Sequence, residues 1–409
     1  MARADALHRV IGNGQVAVRV FDGSRAGPAD APVTIDVRSP RAFQYLATST
    51  GQLGLSRAYV AGDLEIEGDL YTALSSLAGQ DFNLPLKEQV QLLRELGGVR
   101  LLRRPPLPPQ EVRLRGRRHS KARDSAAISH HYDVSNKFYE WLLGPSMAYT
   151  CAVYPSETAT LEEAQFAKHD LVARKIGLRP GMRLLDVGCG WGGMVMHAAR
   201  HYGVRALGVT LSRRQAEWAQ KAIAEAGLTE LAEVRHLDYR DVEEKQFDAI
   251  SSIGLTEHIG VKQMPNYFRF LLRRLRPGGR LLNHCITTPN NRTGVQNRGF
   301  ISRYIFPDGE LTGVGRIAST MHDVGFEVRH EENLREHYAL TTGAWSANLD
   351  AHWDESVAEI GLAKARTWRL YLAGSRLGFE RNTVQLHQVL GVKLHEDGSS
   401  DMPLRPDWT

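Results

Sequence analysis

The chain has 409 residues, 42% of them hydrophobic, with three cysteines, a net charge of +5 and a pI near 9.1. That is enough apolar material for two ordinary cores, yet no stretch reaches the roughly eighteen uncharged apolar residues of a membrane span, and MARADALHRVIGNGQVAV at the start lacks a signal-peptide core. Cys151, Cys189 and Cys285 are too few for a disulfide framework and show no metal-ligand spacing, so a secreted scaffold and a metal centre are excluded in favour of a reducing cytoplasm, while the basic excess favours an anionic partner, nucleic acid or acidic lipid.

Alternating apolar residues predict strands at Gln15 to Phe21 and Val33 to Val37, followed by a helix from Pro40 to Ala47. A helix or tight turn carries Leu53 to Ala61. The run Asp63 to Glu67 alternates as a half-buried strand, and Leu70 to Leu77 returns to helical spacing. Residues 1–93 therefore read as a small α+β domain without a catalytic signature.

Between Arg94 and Arg123 ten basic residues face two acidic ones, interrupted by Pro105, Pro106, Pro108 and Pro109. Proline lacks the amide hydrogen that helices and central strands need, so residues 94–123 read as an extended basic linker.

From 124 to 409 the pattern becomes α/β. Strands are predicted at Arg183 to Val187, Arg205 to Val209, Ala232 to Leu237, Phe247 to Ile253 and Arg280 to Ile286. Helical runs at Gly193 to His201, Ser212 to Ala226 and Lys262 to Leu275 separate them, which implies a doubly wound parallel sheet covered on both faces. Two further strands, Phe326 to His330 and Gln385 to Leu394, flank a helical insertion bearing Trp345, Trp353, Trp368 and Tyr371, expected to roof an apolar pocket.

The first strand of this half runs into Asp186-Val187-Gly188-Cys189-Gly190-Trp191-Gly192-Gly193 and then a helix. Glycines let the backbone turn tightly and approach a ligand, and the helix N-terminus offers free amides. The spacing is not the G-x-G-x-x-G of pyrophosphate binders, so a cofactor without phosphates fits better. The plain alternative is a turn that merely packs a helix on a sheet. The second strand ends without a carboxylate, so Thr210 and Gln215 would have to hold the ribose. Asp238 and Tyr239 are placed either to border an adenine ring or to form an ordinary strand-end turn.

His131-Tyr132-Asp133-Val134-Ser135-Asn136, Tyr149-Thr150-Cys151-Ala152, the glycine loop, Gly208-Val209-Thr210-Leu211-Ser212, Glu257-His258-Ile259-Gly260 and Tyr304-Ile305-Phe306-Pro307 occur in that order. Together they resemble the cyclopropane fatty acid synthase family of S-adenosylmethionine-dependent methyltransferases, over about Ile128 to Leu394. The N-terminal Gly54 to Gly62 segment is similar to the extra domain of the longer, phospholipid-acting bacterial members. Gly144-Pro145-Ser146-Met147, Ser252 to His258 and Leu282 to Thr287 most resemble the actinobacterial branch that methylates oleoyl chains toward tuberculostearic (10-methylstearic) acid.

The resemblance implies a class I methyltransferase-type sheet. Tyr132, Tyr149, Thr150, Gly188, Gly190, Thr210, Leu211 and Gln215 would contact S-adenosylmethionine. A bicarbonate ion would lie among the backbone of Cys151 and Ile286 and the side chains of Glu257, His284 and Tyr338. Thr256 stands where many relatives carry a bulkier residue. The expected product is a 10-methylene chain, which a separate reductase would complete; a cyclopropane is the alternative.

That chemistry explains the residue types. An alkene is a poor nucleophile, so it must be held against the methyl donor in a dry pocket. Aromatic faces such as Tyr149, Tyr338 and Trp345 stabilise the resulting cation, and a base must then take a proton. Read singly, Glu257-His258 is a turn before a helix, and His284 and Cys285 are core residues. The expected partners are an unsaturated phospholipid and an anionic membrane surface at the inner face. Oligomerisation stays open. An RNA methyltransferase is the second reading, weakened because no aromatic residue interrupts the basic run to stack on bases; a non-catalytic lipid-binding protein is the third.

Overall fold

The computed structural model describes residues 2–49, 52–78, 84–112, 118–119, 121, 123–124, 134–291 and 299–408. The chain packs as two compact units. One comprises Met1–Arg113, Arg298–Ile305 and Trp353–Leu377; the other comprises Leu114–Asn297, Phe306–His352 and Gly378–Thr409.

The first unit is built on a sheet of order β2-β1-β3-β4, with β1 Val16–Val20, β2 Arg25–Ala26, β3 Val33–Val37 and β4 Leu64–Glu67. β1 and β3 are parallel, and the outer pairs are antiparallel. Every second residue of β1 is buried, which is why the alternation was readable. Val16, Val18, Val20, Ile35 and Val37 pack with Phe43, Tyr45 and Tyr59, and Ala373 from far along the chain completes this core. Ser39 caps the helix Pro40–Thr48 by accepting from the Arg41 amide, with proline in the first turn.

The predicted linker is divided. Its first part continues the helix Leu86–Leu96 and a 3₁₀ turn Gly98–Leu102, whose Leu96 and Leu101 enter the core of the first unit. Apolar burial outweighs the linker's charge there. Glu111, also buried, accepts from Arg57 at 2.8 and 2.9 Å and from Arg303 at 2.7 Å. In the second unit Arg123 pairs with Asp308 at 2.6 Å, and Lys121 with Asp241 at 2.6 Å. The insertion is divided too: Trp345 belongs to the second unit, whereas Trp353, Trp368 and Tyr371 belong to the first.

The second unit carries a seven-stranded sheet of order β10-β11-β9-β8-β5-β6-β7. Its strands are β5 Arg183–Val187, β6 Arg205–Thr210, β7 Ala232–His236, β8 Phe247–Ile253, β9 Leu275–Thr287, β10 Phe326–Asn333 and β11 Gln385–Lys393. β11 pairs antiparallel with both neighbours and alone runs against the rest. Leu184 and Leu185 point into different cores, one on each face of the sheet, so β5 reads as an unbroken apolar run. Strand order reverses at β5, and the crevice beyond its carboxyl end is the expected ligand position.

The helix Leu161–Ile176 begins with a complete capping box, Thr160 with Glu163, and ends on Gly177 at φ 70°. A stripe of polar residues, Gln165, Lys168 and His169, is buried along it.

Candidate active site

Beyond Val187 the chain turns through three left-handed glycines, Gly188, Gly190 and Gly192, at φ 75°, 54° and 82°. The amides of Gly188 and Cys189 both donate to Val209 O, at 2.9 and 3.0 Å, tying the loop to β6. A Cβ at Gly208 would lie 2.8 Å from Cys189 Sγ, so that glycine lets the loop pack closely. A Cβ at Gly190 would meet nothing within 4 Å. Gly190 therefore borders open space, as a ligand cradle should. Trp191 is buried, donating to Asn136 Oδ1 at 3.1 Å.

That space is a cavity lined by Tyr149, Thr150, Asp186, Gly188, Gly190, Thr210, Leu211, Gln215 and Tyr239, nine of the positions read as cofactor-binding, joined by Lys168, His169, Arg240 and His258. Thr210 donates to Gln215 Oε1 at 2.8 Å. Asp186 accepts from Ser251 Oγ at 2.6 Å, and burial lifts its carboxyl to about 6. Asp238 turns instead toward Arg240, accepting from its backbone amide at 2.9 Å and its guanidinium at 2.8 and 2.6 Å. It caps the turn Tyr239–Asp241, and Arg240 is among the side chains that line the cavity. Tyr132 lies outside the described residues.

A second cluster joins β9 to the short helix Thr256–Ile259. Glu257 Oε1 accepts from the Ile286 amide at 2.7 Å, while Oε2 is buried with no partner among the described residues. Burial pushes this carboxyl up to about 7, against the pull of the Ile286 amide. The Ile286 N–H thus holds Glu257. His284 Nδ1 lies 3.2 Å from Gln388 Nε2, and Gln388 Oε1 accepts from Lys175 Nζ at 2.7 Å. With its oxygen so engaged, Gln388 presents N–H to the ring; Nδ1 accepts, and the imidazole proton rests on Nε2. Nε2 is buried without a partner among the described residues. Burial, with Lys168 and Lys175 nearby, holds His284 well below the usual imidazole range.

Cys151 is fully buried, its thiol pushed up by burial and directed at Ala152 O, 3.1 Å away, which leaves it no nucleophilic character. Tyr338 stacks on Phe379 with centroids 4.4 Å apart and meets Trp345 edge-on at 6.0 Å; Trp345 lies 5.1 Å from Tyr149. These rings form a continuous aromatic wall. Thr256 donates to Asn283 Oδ1 and is buried, so its hydroxyl ties it to β9 rather than opening space.

Sequence reasoning missed Lys168, His169, Lys175 and Gln388. The i, i+3, i+4 spacing of Gln165, Lys168 and His169 marks one helix face, but polar residues at that spacing read as a solvated face.

The profile of the mycolic acid cyclopropane synthetase family matches residues 119–389. The chain belongs to that family. It is 54% identical to the "Probable fatty acid methyltransferase" of Mycobacterium tuberculosis, over 100% of this chain and 98% of the relative. It is 33% identical to the cyclopropane-fatty-acyl-phospholipid synthase of Escherichia coli, over 92% of each. A solved mycolic acid cyclopropane synthase complexed with SAH and CTAB superposes with a TM-score of 0.62 at 33% identity, covering 65% of this chain and 97% of that one. As a mycolic acid cyclopropane synthetase family member the chain is an S-adenosylmethionine-dependent methyltransferase with the class I fold. The open cradle at Gly190 and the polar groups around it fit that cofactor.

Proposed function

We propose that this enzyme, whose family modifies fatty acyl chains, methylates the cis double bond of an unsaturated chain carried by a phospholipid, of the oleoyl type, and leaves a 10-methylene branch. S-Adenosylmethionine, when bound, supplies an electrophilic methyl group. The chain's own residues do the rest. Tyr149, Trp345 and Tyr338 exclude water and offer ring faces to a carbocation on the acyl chain, each contact worth about 0.5–2 kcal/mol.

The observation that carries the reading is the pair of buried atoms Glu257 Oε2 and His284 Nε2, which have no partner among the described residues. One accepts a proton or hydrogen bond; the other, with its tautomer set by Gln388, donates one. A small anion bearing both a donor and acceptors satisfies such a pair, and bicarbonate fits. Glu257, lifted to about 7, and His284, held neutral, can then keep the acceptor of the departing proton in place without a second full charge beside the substrate cation.

Access to a phospholipid calls for a membrane-facing surface. In the first unit Leu86, Val99 and Leu102 are exposed large apolar residues, with Arg94, Arg100, Arg103 and Arg104 exposed among them. Basic residues near an anionic bilayer contribute about 1 kcal/mol each, so this face would hold the enzyme peripherally at the inner leaflet.

The test is incubation with labelled S-adenosylmethionine and dioleoyl phospholipid vesicles, then proton NMR of the esters. Label in the lipid with two terminal vinylic signals is expected. Absence of label in lipid overturns the proposal. Upfield cyclopropyl signals would select the second reading, a cyclopropane product, which the likeness to the Escherichia coli synthase favours.

A further inference from the structure

Lys168 is buried to 1% exposure beside the cofactor cavity. Its Nζ donates to Thr150 Oγ1 at 2.9 Å and to His169 Nε2 at 3.0 Å. Both acceptors are neutral, because burial and the adjacent lysine keep His169 well below the usual imidazole range. Among the described residues no carboxylate forms an ion pair with Nζ; Glu162 and Glu163 on the same helix are spoken for elsewhere, and Asp186, which lines the same cavity, accepts from Ser251. An ammonium has three N–H groups. Two have acceptors among the described residues, the third has none there, and Lys168 lines the same cavity as Asp186 without forming an ion pair with it.

A buried cation with no ion pair is unfavourable, and a cation and an anion that line one cavity without pairing match a zwitterion. We propose that Lys168 is the counter-ion of the α-carboxylate of S-adenosylmethionine, with Asp186 toward its α-ammonium, so that the two orient the amino-acid end while Gly188 and Gly190 border the adenosyl end. The proposal rests on the cofactor reading. Lys168 is a positioning residue: it does not touch the reacting methyl group. A small free anion such as bicarbonate is the other source of the same negative charge.

The groups facing Lys168 are Asp186, Cys151, His169, His197 and His284. Of these, burial lifts Asp186 to about 6, holds all three histidines below their usual range and pushes the thiol well above its own, so none changes charge near 8. Burial brings Lys168 itself down to about 8. Affinity for a carboxylate ligand therefore falls as pH rises through that region, because the ammonium is lost.

Calorimetric titration distinguishes the outcomes, with S-adenosylhomocysteine and S-adenosyl-3-thiopropylamine, which lacks only the carboxylate, as probes. The wild-type protein is expected to prefer the first by at least about 10-fold. Lys168→Met should reduce that preference to below about 3-fold, chiefly by weakening S-adenosylhomocysteine, and Lys168→Arg should restore part of it. Retention of the full preference in Lys168→Met overturns the proposal, as does a change confined to added bicarbonate. Failure of the wild type to bind S-adenosylhomocysteine would instead sink the cofactor reading. If Lys168→Met does not fold, Lys168→Gln decides in its place: a full carboxylate preference in that variant overturns the assignment.

Discussion

Gln388 sets the tautomer of His284: its amide nitrogen lies 3.2 Å from Nδ1, and its oxygen is held 2.7 Å from Lys175 Nζ, itself paired with Glu332. Gln388→Glu should reverse the arrangement, since a carboxylate accepts from Nδ1–H and leaves Nε2 bare. The expected outcome is a loss of about 10- to 100-fold in kcat with cofactor affinity nearly unchanged. Nitrogen-15 shifts of the imidazole report the tautomer directly, and an Nε2–H ring in an inactive variant would refute the link.

Glu257 predicts a pH dependence of stability. Its folded pKa, about 7, is raised above the ordinary 4.5, so its contribution is fully present below about 4.5 and lost as pH rises toward 7. Wild-type stability relative to Glu257→Gln should fall by on the order of 3 kcal/mol across that window and stay level above it. Urea unfolding at half-unit pH steps measures the difference; a flat difference would mean that the carboxyl is solvated.

The same Glu257→Gln variant should lose most of its turnover while binding S-adenosylhomocysteine normally, because Glu257 lies outside the lining of the cofactor cavity. Near wild-type turnover would remove it from the proton-accepting role.

Gly190→Val should fold, because a Cβ there meets nothing, although φ 54° costs a β-branched residue roughly 1–2 kcal/mol. S-Adenosylhomocysteine affinity should drop by about 100-fold or more, since the added methyls occupy the cradle. Calorimetry on the folded variant checks it, and retained affinity would move the cofactor elsewhere.

Replacing Arg100, Arg103 and Arg104 together with glutamine should weaken co-sedimentation with anionic vesicles by about 100-fold at low salt. Turnover on detergent-dispersed substrate should be unaffected. Vesicle binding indifferent to these residues and to salt would place the membrane face elsewhere.

The sheet of the second unit was readable because its strands are buried on both faces. β5 and β8 are found where their apolar runs lie, Arg183–Val187 and Phe247–Ile253. The reversal of β11 was not readable, since strand direction is set by partners such as Thr287 for Gln385, far apart in the chain. The helix Leu161–Ile176 was missed because four of its nine buried residues, Gln165, Lys168, His169 and Lys175, are polar. For the site, local chemistry suggested only the glycine loop; Glu257 and His284 stood out only together with the other motifs. Lys175 and Gln388, 213 positions apart, share no local signal.

The first unit is closed by Ala373, in a segment that ends at Leu377, although its strands lie near the amino terminus. During synthesis at ~5–20 residues per second, β1 to β4 would wait on the order of tens of seconds for that segment. Of the nineteen buried side chains in that core, eighteen lie between Ala4 and Leu101, so early-made helices can cover most of the sheet's apolar face, and only the patch that Ala373 seals stays open until the late segment leaves the ribosome.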